Sequence, residues 1–310
     1  MTNTPTTEDR IWAILAHLSA LSLGIGILLP TVGWSDQRRK SNYASFQCLQ
    51  ALGYQSLGFT IWVLSYLVII ILASITLLVT FRPVAGGGAN AIFSPAIIIF
   101  LVIVFGGFAI YFLLPLAGAV ACALGKDFRY PILGDRLARY LGYDPVQASG
   151  EQTWLEEAHE FRWVAAMGHF SILIMIWGML APLTAWMLQG RQSHFLKFQS
   201  AQTLLYQAIT TIIYFIGGFM YLFGFVFLLV GMGGIREPNL NSSTGMFGIV
   251  VFAVALVISF VLILLVPLLH ILGQWAGYRV LKGDDYHYPL VGKLTETWIS
   301  KNHGLEEKPA

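Results

Sequence analysis

Arg10, His17, Ser19, Gly26, Pro30, Trp34, Gln47, Gln50, Tyr54 and Gln55 return 152 positions later, without a gap, as Arg162, His169, Ser171, Gly178, Pro182, Trp186, Gln199, Gln202, Tyr206 and Gln207. Over the 46 positions from Arg10 to Gln55 the two segments share 18 identities, so the chain is a tandem duplication. Any fold accepted for one copy has to accommodate the other. Most of the retained residues are polar, and they sit inside apolar stretches.

Those stretches define the medium. With 56% hydrophobic and 11% charged residues, against about 25% charged in soluble domains, the chain reads as an all-α integral membrane protein. A formal net charge of +2 supplies no basic field for nucleic acid. The two cysteines, Cys48 and Cys122, make neither a disulfide framework nor a metal site, and Cys48 becomes Ser200 in the second copy. No metal or cofactor is expected. Met1 to Asp9 carries no basic leader, so the first apolar run is expected to anchor the protein itself.

Length and helix breakers predict six transmembrane helices. In the first copy they are Ile11 to Trp34, a long helix from Tyr43 to Phe81 with its first turns in the headgroups or the bundle, and Ala96 to Leu124, after a loop from Arg82 to Pro95. Trp12 and Trp34 are expected at opposite interfaces, being about 33 Å apart on a straight helix. The second copy repeats the plan as Phe161 to Trp186, Phe195 to Val230, a loop from Gly231 to Gly245, and Met246 to Leu281. Between the copies, Ile132 to Leu141 reads as a short interfacial helix. The domains are therefore 1–142, a linker 143–160, a second repeat 161–300 and a tail 301–310. Three crossings per copy make the copies inverted by parity, as in many secondary transporters.

Both copies end alike, in Phe128-Arg129-Tyr130-Pro131 and Tyr286-His287-Tyr288-Pro289. Tyr130 and Tyr288 read as headgroup-level aromatics, with Pro131 and Pro289 starting surface helices. Together with His-x-Ser in the first span and Phe-Gln-x-x-Gln-x-Leu-x-Tyr-Gln opening the second, this ending resembles a bacterial membrane domain of unknown function related to the chloroplast import component, the Tic-twenty-like superfamily. That resemblance implies a small helical membrane protein. The family usually carries one copy per chain, and its chloroplast member is described with four spans where three per copy are read here.

Two polar sets could carry function. Gln47, Gln50 and Tyr54, with Gln55 beside them, share one helical face, repeated by Gln199, Gln202, Tyr206 and Gln207. They are either interhelical glue, worth about 0.6 kcal/mol per bond in one membrane protein, or the lining of a wet pathway. His17 and His169, with Ser19 and Ser171 nearby, are either neutral histidines bonded within the bundle or proton relays. Glu156-Glu157-Ala158-His159-Glu160 contains a Glu-x-x-His but no second such motif, and reads as acids at a helix N-terminus. Catalysis is not expected.

The sequence thus predicts a multi-pass protein of the cytoplasmic membrane, a non-catalytic scaffold or an assembly- or translocation-associated subunit. Its partners are the lipid bilayer and other membrane proteins. The alternative is a solute, ion or proton pathway at the repeat interface. Under the inverted topology the basic residues divide nine and nine between the two sides, with a slight lean toward both termini outside.

Overall fold

The computed structural model describes residues 4–80, 95–144, 154–233 and 242–306. All regular elements among them are helical. Helix α1 (Thr7–Leu18) is started by a capping box, in which Thr6 Oγ1 accepts from the Asp9 amide and Asp9 accepts from the Thr6 amide. It passes through a 3-10 segment, Ser19–Ile27, into α2 (Leu28–Gln37).

That path is not straight. The chain reverses at Leu23, whose φ of 53° and ψ of −138° are non-helical, and α2 returns alongside α1. Gln37 Nε2 donates to Glu8 Oε1 at 3.1 Å, although a straight helix would hold those residues about 43 Å apart. A Cβ added at Gly33 would lie 2.9 Å from the Trp12 ring. The second copy does the same: α6 (Glu157–Phe170), a 3-10 segment Ser171–Met179 and α7 (Leu180–Gln189) reverse at Met175, φ 55° and ψ −130°. Leu23 and Met175 stand 152 residues apart, so the reversal was duplicated with the sequence.

Two of the retained residues make the reversal possible. Ser19 Oγ donates to the Ala16 carbonyl at 2.7 Å, and Ser171 Oγ to those of Gly168 and Gly178 at 2.6 and 2.8 Å. Carbonyls freed at the break are thereby satisfied inside an apolar bundle. A side chain on Gly26 would collide with the Ser19 carbonyl, and one on Gly178 with that of Ser171. Only glycine lets the strands of the tip approach so closely.

The remaining helices are long antiparallel pairs. In the first copy α3 (Asn42–Thr80) runs against α4 (Pro95–Ala123), with Tyr43 and Tyr54 hydroxyls donating to the carbonyls of Lys126 at 3.0 Å and Tyr111 at 2.9 Å. A short helix, α5 (Leu133–Leu141), follows. In the second copy α8 (His194–Gly231) runs against α9 (Ser243–Leu281), where the Tyr206 hydroxyl donates to the Leu269 carbonyl at 2.8 Å, and α10 (Val291–Glu306) follows. Thus α10 continues through residues read as tail. The expected loop from Arg82 to Pro95 lies outside the described residues except for Pro95, which opens α4. Residues 234–241 of the second loop and 145–153 of the linker also lie outside them.

By contact the chain forms two units, Met1–Ser200 and Ala201–Ala310. The first holds copy one together with the second hairpin. Its core is the lower half of α3, from Ala44 to Ser56, buried against α1 and α2. The second unit is built on the pairing of α8 with α9. Leu64, Phe105, Phe219 and Val257 are exposed on the long helices, the surface expected of helices solvated by lipid.

Among the described residues, five helical stretches are long and apolar enough to cross a membrane: Thr7–Gln37, Leu101–Ala123, Glu157–Gln189, His194–Gly231 and Ser243–Leu281. The first and third are the hairpins, so Ile11 to Trp34 and Phe161 to Trp186 are not single crossings. Each copy has four helical limbs rather than three. The reversals remove the three straight crossings per copy on which the expected inversion rested. Trp12 and Trp34 likewise fall at one end of the hairpin, not at opposite interfaces.

Candidate functional site

The site in copy one is assembled where the hairpin base, α3 and the segment after α4 meet. His17, the last basic residue of α1, is fully buried. Its Nε2 lies 2.9 Å from Gln47 Oε1 and its Nδ1 2.9 Å from the Tyr130 hydroxyl. An amide oxygen only accepts, which assigns the proton to Nε2 and makes Nδ1 the acceptor from Tyr130. Gln50 Nε2 donates to Gln47 Oε1 at 3.1 Å and to the Phe128 carbonyl at 3.0 Å, while Gln50 Oε1 accepts the Tyr130 amide at 2.8 Å. Gln47 Nε2 donates to Asp127 Oδ1 and the Phe128 carbonyl at 2.9 and 3.1 Å. One turn deeper, Gln55 Nε2 donates to Ser19 Oγ at 2.9 Å, tying α3 to the hairpin tip.

Aromatic rings close the network. Tyr54 stacks on Tyr130 with centroids 4.1 Å apart, and Phe128 and Tyr130 meet the His17 ring edge-on. Tyr130 and Tyr288, read from sequence as headgroup aromatics, are instead buried, each 2% exposed. The exposed residues of the two endings are Ile132 and Leu290, at 74% and 79%. Both follow the proline and both hold positive φ, 65° and 68°, in tight turns that launch α5 and α10. Pro131 and Pro289 stand two residues before α5 and α10, with their carbonyls accepting from the Leu133 and Val291 amides.

Copy two repeats part of this pattern. In the first unit, His169 Nε2 lies 3.1 Å from Gln199 Oε1. In the second, Gln202 Nε2 donates to the Tyr286 carbonyl at 2.6 Å and Gln202 Oε1 accepts the Tyr288 amide at 3.2 Å. Tyr206 stacks on Tyr288 at 3.9 Å, and Gln207 is buried beside it on α8.

Two elements of the site were not read from sequence. Asp127 accepts from Gln47, from the Tyr143 hydroxyl at 3.2 Å and from Arg129 Nε at 3.2 Å. Burial, its largest influence, holds the carboxyl above its ordinary range against the pull of Arg129. The second is a buried ionic cluster joining the hairpins of the two copies. Arg38, 4% exposed, meets Glu157 at 2.9 Å, Glu160 at 3.3 Å, Gln189 at 3.0 Å and Gln192 at 2.9 Å. Its guanidinium lies 4.3 Å from the Phe161 ring centroid, and Trp34 Nε1 donates to Glu160 at 3.3 Å. Glu160 repeats Glu8, but Arg38 has Gly190 at the matching position, so only one half of this contact is marked by the repeat. Glu156 precedes α6 without a side-chain cap hydrogen bond and Glu157 opens its first turn, with His159 paired to Glu156 at 2.9 Å. Among the described residues no group of three or more His, Cys, Asp or Glu is placed to hold a metal ion.

An apolar crevice of about 270 Å³ lies by the hairpin tip, lined by Leu23, Phe59, Phe108 and Tyr111. None of the singled-out glutamines or histidines faces it.

Comparison with known families gives two matches, at residues 8–137 and 160–295, to the profile described as the Magnetosome magnetite crystal formation protein family, MamF/MmsF. The matches coincide with the two copies. They support a two-copy membrane family but not the Tic-twenty-like assignment. No curated protein and no solved structure matches the chain.

Proposed function

The chain belongs to the magnetosome magnetite crystal formation protein family, with two family units in one polypeptide, and from that premise we propose that it is a non-catalytic scaffold of the magnetosome membrane. In this reading it supports crystal formation by organising membrane components. The observation that carries it is the saturation of the copy-one polar residues by one another. His17, Gln47 and Gln50 spend their donors and acceptors on Tyr130, Phe128 and Asp127. Groups bonded in this way fasten the post-α4 segment to the hairpin and α3, and a passing solute would have to break several bonds to use them. The pathway reading gains no comparable support.

Reconstitution into liposomes tests the choice. Proton and small-ion leak should equal that of protein-free vesicles, while crosslinking in intact magnetite-forming cells should join the full chain to other magnetosome membrane proteins. Specific, saturable flux would reject the scaffold reading.

A further inference from the structure

The two hairpins point the same way and are short. At their bases Arg38 meets Glu157, Glu160, Gln189 and Gln192, and at their tips a Cβ added to Gly24 would lie 2.9 Å from Trp177 Cβ. Base meets base and tip meets tip, all within the first unit. From Ile11 to the reversal at Leu23 the apolar limb is about 22 Å long, and from Phe161 to Met175 about 25 Å. A hydrocarbon layer of about 30 Å is deeper than either. The crevice lined by Leu23, Phe59, Phe108 and Tyr111 marks the level of the first tip on the long helices. Below that level α3 is buried from Ala44 to Ser56. Past it α3 runs on to Thr80 and α4 extends to Pro95, with Ile61, Leu64, Ile99 and Phe105 exposed. The outer face of the first hairpin is also apolar and exposed, at Ile11, Leu15, Leu21 and Ile25, so the hairpin level itself belongs in lipid.

The first unit is therefore broad in one leaflet and narrow in the other. Among its described residues, α1, α2, α3, α4, α6 and α7 lie side by side between the hairpin bases and tips, whereas α3 and α4 alone continue beyond. With each helix about 10 Å across, the unit displaces roughly three times as much area at hairpin level as past the tips. The second unit does not even this out. There α8 and α9 pair from Tyr206 with Leu269 to Gly231 with Thr244, and two helices side by side add the same width at each level, wherever the pair stands. A leaflet holding more inserted area than its opposite is relieved when the bilayer bends with that leaflet on the convex side. We infer that the chain is a membrane wedge, and that the partner it fits is a strongly curved bilayer with the hairpin bases on its convex face. The Arg38 cluster at the base and the Gly24–Trp177 approach at the tip make the two hairpins one rigid insertion rather than two independent ones.

The experiment uses the full chain with Cys48 and Cys122 changed to serine and with Lys40→Cys, at a base position whose side chain is 56% exposed, reconstituted into giant vesicles from which a membrane nanotube is pulled outward. An impermeant fluorescent maleimide marks only molecules whose bases face out, the convex side of the tube. Blocking these with an unlabelled impermeant reagent, then adding a permeant fluorescent maleimide, marks the opposite population. Relative to a lipid dye, base-out molecules should be enriched in the tube about twofold, a preference of only ~0.4 kcal/mol, and increasingly so as the tube is narrowed. Base-in molecules should be depleted by a similar factor. Equal density in tube and vesicle for both populations would overturn the wedge. So would enrichment of both, which reports attraction to tubes without direction, and the reverse pattern would overturn the convex placement of the bases. Solute flux and partner capture do not enter this readout, so failure of the scaffold reading is separate from failure of the wedge.

Discussion

At the scale of single residues, the glutamines matter less for what they expose than for what they leave unpaired when removed. As interhelical glue read from the sequence, Gln47 and Gln50 would each be worth little, because an isolated amide bond in a membrane bundle is weak. The structure ties both to backbone groups of the Phe128–Tyr130 segment and to His17, all buried. Each orphaned buried partner costs about 1–3 kcal/mol. Q47L and Q50L are therefore expected to lower the thermal midpoint in detergent, the double variant more than either single one, with Y130F giving a smaller loss through His17 Nδ1. The same segment carries a pH effect. Burial raises the Asp127 carboxyl above its ordinary value of 3.8, so the folded state holds that proton more tightly than the unfolded chain. Its contribution is greatest below about pH 3.8 and declines as pH rises through the folded value. D127N keeps an acceptor for Gln47 and should flatten that part of a melting-versus-pH profile; an unchanged slope would assign it to other groups. The polar residues at this site were legible because the duplication kept them. Asp127 was not, because its counterpart at the end of copy two, Asp285, marks it only as part of a short charged ending.

At the scale of elements, the long helices were legible and the hairpins were not. An apolar run from Tyr43 without proline leaves few alternatives to one helix, and α3 spans Asn42–Thr80. Ile11 to Trp34 has the length and hydropathy of a single crossing, and composition cannot distinguish a crossing from a chain that turns back in lipid. What distinguishes them is the Ser19 and Gly26 pair, seven residues apart and repeated as Ser171 and Gly178, whose purpose appears only when the carbonyls at the turn are seen. Gly26→Ala and Gly178→Ala should each collide with a serine carbonyl and reduce the yield of monodisperse protein sharply. Gly106→Ala, where a Cβ meets nothing within 4 Å, is the matched control. It should be neutral or stabilising by about 0.5–1 kcal/mol. Equal behaviour of tip and control glycines would remove the close approach as the cause of the reversal.

At the scale of the molecule, copy one and the second hairpin form one packed body, fastened by the cluster of Arg38, Glu157 and Glu160. Removing one partner of a buried pair strands the other, at about 3–5 kcal/mol. R38A and E160A should each destabilise strongly, whereas the double variant should lose much less than the sum, read as the coupling in a double-mutant cycle of melting midpoints. Additive losses would mean that the two groups do not depend on each other. The account of the fold turns on the return of α2 alongside α1 and of α7 after the break at Met175. The most direct measurement is therefore the distance between spin labels at Glu8 and Arg39, in the full chain in lipid, by pulsed dipolar spectroscopy. The hairpin predicts a separation below about 20 Å, since Glu8 bonds to Gln37; a distance near the roughly 46 Å of a straight 31-residue helical rise would contradict it.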